Sequence, residues 1–448
     1  MSQTRLNKPD LSSYKTAFSV VQRLQSAGFI AYFAGGCVRD IILKRPPKDY
    51  DIATNALPSE VETLFPGSET SGKSFAVTRA PVKGLILEIA TFRRDHRYSD
   101  GRRPDKISFT DPQTDAQRRD FTINAIFLDP ITSKFHDFIG GRKDLSAHII
   151  KCVGDPNDRF NEDHLRMLRA VRFAGTLGFT IHPLTAAAIQ RNARKIIKIS
   201  AERIHDELTR TLMESIKPGD SLVLMDQVGL LEHILPEVSA MKGQKQPPEF
   251  HPEGDVFTHT VAMLNMMDNR SPQLVYSVLF HDIGKPSTAF IAPDRIRFNN
   301  HAAEGALIAQ TVMQRLKFSS DDINVICHCV KNHMRFMDVQ KMRNSTLRRM
   351  IGAPTFQTEM ELHRLDCEAS HGDLSNLNFL RNFQEQISGQ PALPPPWING
   401  KDIIAMGVPE SPRVGKFRTM AYDAQLEGHI KNRKALLKWL KNKIKEEQ

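Results

Sequence analysis

Residues 33–52 read FAGGCVRDIILKRPPKDYDI. A strand-like run ends at Gly35 and Gly36, and a short helical stretch follows. Small residues at such a junction let backbone N–H groups approach a phosphate, and the start of a helix favours negative charge. Arg39, in the first turn, reaches the same anion. Further on, Asp49 and Asp51 stand at i, i+2 on a predicted strand, which puts both carboxylates on one face. Two carboxylates on one edge can hold two Mg²⁺ ions about 3.5–4 Å apart, one beside a hydroxyl nucleophile and one on a triphosphate. A Gly pair or an Asp-x-Asp alone is most often a turn or a solvated face. Together, across one βαβ-like unit, they point to nucleotidyl transfer. Glu88 in LILEIATFR is the candidate third carboxylate, since an unpaired charge among apolar strand residues is costly. The competing reading pairs Glu88 with Arg93.

Outward from this stretch, residues 12–29 read as a leading helix with Tyr14, Phe18, Val21 and Leu24 along one face. The runs IAYFAGG, DYDIA, FAVTRAPV, LILEIATF and AIFLDP carry strand signals. Helical periodicity takes over from about Asp155, in DHLRMLRAVRFAGTLGF, LTAAAIQRNARKII, AERIHDELTRTLMES and SLVLMDQVGLLEHI. The expected fold is therefore α+β: a mixed head over 1–154, a helical neck over 155–240, a second helical domain over 241–385, and a linker with a basic helical tail over 386–448. QPALPPPW is the stiff linker.

The 448 residues carry a net charge of +10, which suits a polyanionic partner without requiring one. No apolar run approaches the roughly 20 residues of a membrane span, and MSQTRLNKPDLSSYK lacks the core of a secretory signal, so a cytoplasmic chain is expected. Cys37, Cys152, Cys327, Cys329 and Cys367 are too few and too scattered for a disulfide framework.

GGCVRD, DYD, LEIATFR, RRDFTINAIF, GRKDL and EDHLRMLRAVRF, in this order, resemble class II tRNA nucleotidyltransferases, the family of CCA-adding enzymes and bacterial poly(A) polymerases. The resemblance spans residues 30 to about 235. It implies a polymerase-β-like head, Mg²⁺-dependent chemistry, and template-independent addition of C or A to the 3′ end of tRNA from CTP and ATP. It also implies site roles. Gly35, Gly36 and Arg39 match phosphate-holding positions, and Asp49 and Asp51 match metal ligands. Arg119 matches a nucleotide-contacting arginine, with Asp120 as a ribose contact. Asp163 and Arg166 match the pair that reads the base edge, and Arg169 and Arg172 match further nucleotide contacts. Spacing agrees with this: Asp163, Arg166, Arg169 and Arg172 recur every three residues as one helical stripe beside apolar Leu165, Leu168 and Val171. An Asp accepts and an Arg donates, so the pair can separate C and A from U and G. The basic loop RDHRYSDGRRPDKISF stands where relatives carry a flexible segment that helps switch selection from C to A.

FTHTVAML, LFHDIGKP, NNHAAEGA, ICHCVKNHM and LHRLDCEAS resemble the HD-domain phosphohydrolases. His259, His281, Asp282 and Asp366 match the H…HD…D ligand set of a divalent metal. His301, with His328 or His333, extends it toward a second ion. The bland alternative is a helical scaffold that supports RNA. Two readings compete with CCA addition: a poly(A) polymerase, and an HD phosphohydrolase whose head only binds nucleotide.

Overall fold

The computed structural model describes residues 11–71, 76–96, 104–247 and 254–447. Contacts divide the chain into two units, Met1–Ser239 and Ala240–Gln448.

The first unit opens with α1 (Leu11–Ser26), whose Val20, Val21 and Leu24 are fully buried. Its sheet is built from β1 (Ala31–Ala34), β2 (Asp51–Thr54), β3 (Glu69–Ser71), β4 (Val77–Val82) and β5 (Leu85–Thr91). A separate antiparallel pair follows, β6 (Arg93–His96) with β7 (Lys106–Phe109), before β8 (Phe127–Asp129) and β9 (Lys134–His136) complete the sheet. The strand order is β3-β4-β5-β2-β1-β8-β9, and only β2 and β5 run parallel. Ile52 faces Ile89 across that parallel pair, so the start of β2 lies beside Glu88 on β5. Ala34 pairs with Asp51, which brings the glycine turn to the same edge.

Two sequence expectations need correction here. Asp49 is not on a strand: β1 turns away at Gly35 and offers no partner before Asp51, so Asp49 sits on the segment leading into β2. The stretch 94–109 is not loop throughout, because its ends pair as β6 and β7; residues 97–103 lie outside the described residues.

The helices of this unit are α2 (Gly36–Ile42), α3 (Pro58–Leu64), α4 (Pro112–Gln117), α5 (Gly141–Ser146), α6 (Pro156–Glu162), α7 (Arg166–Leu177), α8 (Pro183–Asn192), α9 (Ala201–Glu214), α10 (Pro218–Gln227), α11 (Leu231–Ile234) and α12 (Pro236–Ser239). Asp111 and Asp155 cap α4 and α6, each followed by Pro at the first helical position. The expected stripe from Asp163 to Arg172 is broken. Asp163 has extended backbone (φ −147°, ψ 107°) and its carboxylate accepts from the Leu165 N–H at 3.1 Å, a local bond that competes with helix. The helical stripe proper is Arg166, Arg169 and Arg172, with Leu168 and Val171 fully buried alongside.

The second unit contains α13 (Val256–Asn265), α14 (Pro272–Phe280), α15 (Lys285–Thr288), α16 (His301–Arg315), α17 (Ser320–Asn332), α18 (Asn344–Ile351), α19 (Phe356–Ala369), α20 (Ser375–Gln386), α21 (Gly400–Ile404), α22 (Pro412–Glu427) and α23 (Arg433–Glu446). Among its described residues the strands are one short hairpin, Ala289–Ile291 against Ile296–Phe298. One core gathers Phe336, Phe356 and Leu380, and another gathers Phe417, Leu436 and Leu440. Among the described residues, no helix is long and apolar enough to cross a membrane.

In the first unit, Gly141 shows how tightly α5 is pressed onto the 3-10 turn Thr122–Asn124. A Cβ at 141 would lie 2.2 Å from the Thr122 carbonyl oxygen and 2.9 Å from Ile126 Cγ1. Backbone cannot retreat cheaply, so Gly141→Ala should lower stability by about 1–3 kcal/mol. Urea unfolding checks this; an unchanged midpoint would mean α5 is free to shift.

Candidate active site

A cavity of about 740 Å³ opens in the first unit, at the edge where the glycine turn meets β2 and β5. Every head residue singled out from sequence lines it: Gly35, Gly36, Arg39, Asp49, Asp51, Glu88, Arg119, Asp120, Asp163, Arg166, Arg169 and Arg172. Gly35 has φ 73°, a left-handed conformation that strains other residues. A Cβ there would also sit 3.4 Å from Arg119 Nη1 and 3.7 Å from Asp51 Oδ2. The bare backbone leaves that cation and that carboxylate at the turn.

Asp51 feels both of its acidic neighbours. Burial, then the charges of Asp49 and Glu88, push the Asp51 carboxyl up to about 6, against the pull of Arg119. Like charges gathered at one edge of a cavity, all hard oxygen donors, fit a divalent cation. This makes Glu88 a member of the cluster rather than the partner of Arg93, which instead pairs with Asp95 at 2.8 Å.

The arginines are held, not loose. Arg39 Nη1 donates to Asn124 Oδ1 at 2.9 Å, and its Nη2 lies 2.8 Å from Asp40. Arg119 donates to Asp115 Oδ2 through Nε and Nη2 and to the Asn124 carbonyl through Nη1. Asp115 is buried, which raises its carboxyl, but Arg119 and Arg118 outweigh that and hold it low. Arg39, Arg169 and Arg172 gather around the Phe173 ring, their guanidinium carbons 5.3, 5.2 and 4.3 Å from its centroid.

Two of the expected contacts take another form. Asp120 Oδ2 accepts twice from Arg169, at 2.6 and 3.0 Å, while Oδ1 accepts from the Phe121 N–H and from Asn124. Burial raises this carboxyl, yet Arg169 dominates and brings it down to about 2. With its acceptor positions filled, Asp120 is the anchor of Arg169, and a ribose contact would need one of these bonds released. Arg172 is 4% exposed and bonded to Glu207, with Glu214 3.7 Å away, so it is a buried ion pair at the cavity wall.

The second unit holds a separate cluster. The His281 and Asp282 side chains meet those of His259 and Asp366, with His259 Nε2 3.1 Å from Asp366 Oδ1. Asp282 also faces His301 and His333, whose Nε2 atoms are 3.2 Å apart. His333 is thus the residue that joins His301; His328 is turned away, 3.3 Å from Glu359. His281 Nε2 lies 3.1 Å from Asp282 Oδ2, while Asp282 Oδ1 is buried without a hydrogen bond, an acceptor that a divalent metal could take up. Burial pushes His333 down to about 4, keeping the imidazole in its neutral, ligating form. Lys285 Nζ, 2.6 Å from Asp282 Oδ2, adds a fixed cation that sequence reading passed over.

Residues 31–151 match the family described as Poly A polymerase head domain, residues 178–242 that described as probable RNA and SrmB-binding site of polymerase A, and residues 256–363 the HD domain. A CCA-adding enzyme from Lactobacillus johnsonii is 35% identical over 278 residues, covering 60% of this chain and 68% of that protein. The chain belongs to the CCA-adding enzyme family. A relative of the same name from Limosilactobacillus fermentum is 44% identical over 216 residues, 48% of this chain and 54% of its own length. The chain thus spans about half the length of several curated relatives it matches. The crystal structure of the Bacillus stearothermophilus CCA-adding enzyme in complex with CTP superposes with a TM-score of 0.72 at 26% identity, over 97% of this chain and 99% of that one. The Thermotoga maritima CCA-adding enzyme complexed with tRNA shares the fold, with a TM-score of 0.63 at 20% identity over 98% and 97% of the two chains.

Within this member of the CCA-adding family, sequence reading missed Asn124, Arg118, Arg203 and Phe173 as cavity residues. Asn124 and Arg118 lie inside the quoted RRDFTINA, and their signal was proximity to Arg119. Arg203 had none, because its partner Asp163 is 40 residues away.

The raised Asp51 makes a signed prediction. An acid whose pKa is higher folded than unfolded costs nothing below its unfolded value, and its burden grows as pH rises through the folded one. Without metal, Asp51→Asn should therefore be more stable than the parent by about 1–3 kcal/mol near neutral pH, the gap closing toward about pH 4. Denaturant titrations in EDTA test it. Mg²⁺ should then stabilise the parent more than the variant; a variant less stable than its parent at neutral pH contradicts the cluster.

Proposed function

We propose that this chain adds C and A to the 3′ end of tRNA from CTP and ATP, without a nucleic-acid template, with release of pyrophosphate. The observation that carries the reading is one cavity lined by three carboxylates, two of which raise the third, with a wall of anchored arginines and Asp163 beside Arg166. The names of the relatives support it, as do the CTP held by one similar structure and the tRNA held by another. Cytoplasmic residence follows from the substrate.

Asp49, Asp51 and Glu88 would hold Mg²⁺, which would neutralise triphosphate charge and make the acceptor 3′-hydroxyl a better nucleophile. Arg39 and Arg119, beside the glycine turn, bind the triphosphate oxygens. Asp163 accepts from the exocyclic amine of C or A, and Arg166 donates to the ring nitrogen. Arg169, locked by Asp120, adds fixed positive charge where negative charge builds up. The RNA 3′-hydroxyl gives up its proton to water, and its oxygen attacks the α-phosphorus in line. The bond to the bridging oxygen breaks, and the leaving pyrophosphate stays against the arginines.

The polymerase names of the two head-region families keep poly(A) addition as the second reading. Purified protein given tRNAs ending before the first C, after C and after CC, with single nucleotides, separates the two. Growth should stop at CCA, whereas an unbounded A ladder would favour the second reading. Asp49→Ala with Asp51→Ala should abolish incorporation and spare RNA binding by gel shift; incorporation at the parent rate would remove the carboxylates from the chemistry.

We further propose that His259, His281, Asp282 and Asp366, extended by His301 and His333, hold a divalent metal. His281→Ala with Asp282→Ala should reduce the metal that copurifies with the full chain, as read by elemental analysis, and should retain nucleotide addition. Equal metal content in parent and variant would contradict the assignment.

A further inference from the structure

Base choice by an Asp–Arg pair depends on where the carboxylate sits. Cytosine and adenine present an amine donor beside an unprotonated ring nitrogen; uracil and guanine present a carbonyl beside a ring N–H. A carboxylate opposite the amine selects C and A. The same carboxylate displaced by one position accepts from the ring N–H and admits U and G, because it can accept from either. Chemical identity alone does not give fidelity; register does.

Asp163 is poorly placed to keep register by itself. It stands in the break between α6 and α7 with extended backbone, not on either helix. Its Oδ1 is tied to the Leu165 N–H. Its Oδ2 accepts from Arg203 Nη2 at 2.8 Å. Arg203 projects from α9, and that helix is rigidly mounted: Ile204, Leu208 and Leu212 are buried, and Glu207 makes the buried pair with Arg172. On the other member of the pair, Arg166 Nη1 contacts Glu162 Oε2 at 2.5 Å and the Arg159 carbonyl at 3.2 Å. Each base-facing side chain is thus held from behind by a group of opposite charge. The tie to Arg203 joins the break to a different helix.

We infer that Arg203 is a specificity-positioning residue: it pins Asp163 in the register that accepts from an exocyclic amine, and so suppresses incorporation of U and G. The inference rests on the reading of Asp163 and Arg166 as the base-facing pair. A carboxylate oxygen offers two lone pairs, so the bond to Arg203 leaves Oδ2 one for the base. Arg203 itself lines the cavity without being assigned any contact to nucleotide.

The test is the ratio of kcat/KM for CTP over UTP on a tRNA lacking its terminal CCA. Arg203→Met should lower this ratio by roughly ten-fold, the scale of one misaligned hydrogen bond. Arg203→Lys, which keeps a cationic donor, should recover most of it. Asp163→Ala should lose the same discrimination, and adding Arg203→Met to it should change the ratio no further. A general loss of structure would lower both rates and leave their ratio alone. If Asp163→Ala loses discrimination and Arg203→Met keeps it, the role of Arg203 is refuted and base reading survives. If Asp163→Ala keeps discrimination, base reading fails and this inference with it. Should Arg203→Met not fold, Arg203→Leu, which also lacks a donor, reads the same ratio, and an unchanged value refutes the inference equally.

Discussion

Asp51 begins β2, which runs between the antiparallel β1, where Ala34 is the partner of Asp51, and the parallel β5. The antiparallel side delivers the Gly35–Gly36 turn. The parallel side delivers Glu88. A carboxylate partly buried between two others is unfavourable unless a cation compensates it, and the surrounding fold keeps it there regardless. That tension between placement and charge is what the rest of the first unit supports.

Around it, the positive charges are immobilised by a second set of carboxylates. Asp115 holds Arg118 and Arg119, Asp120 holds Arg169, Glu162 holds Arg166, and Glu207 holds Arg172. Pre-ordered donors need no reorganisation when negative charge appears, which is where electrostatic catalysis gains most. A guanidinium tied on one edge keeps other N–H groups for a ligand. Asn124 links the set, bridging Arg39, Asp120 and Arg119 from a single short turn. The second unit repeats the same principle with imidazoles, in which Asp282 is shared by two groups of histidines.

What was legible in the chain was local chemistry. Gly35, Gly36, Arg39, Asp49 and Asp51 sit within one short stretch, so their spacing carried the reading. Glu88 was reachable because a carboxylate among strand-forming apolar residues invites a reason. The interactions across sequence distance were not legible. Periodicity made Asp163 part of a helical stripe, whereas its own side-chain bond breaks the helix there. Arg172 and Asp120 were visible as charges, but nothing near them announced that Glu207 and Arg169 had already engaged them. In the second unit, His328 and His333 were equivalent by sequence, and only the turn of α17 showed which one meets His301.

The central claim is that Asp49, Asp51 and Glu88 form one cation site against a nucleoside triphosphate. A crystal grown with Mn²⁺ and a non-hydrolysable CTP analogue, measured at a wavelength where manganese scatters anomalously, tests it most directly. The account predicts anomalous density between these carboxylates and the triphosphate oxygens. Density elsewhere in the cavity, with the three side chains turned from the nucleotide, would contradict it.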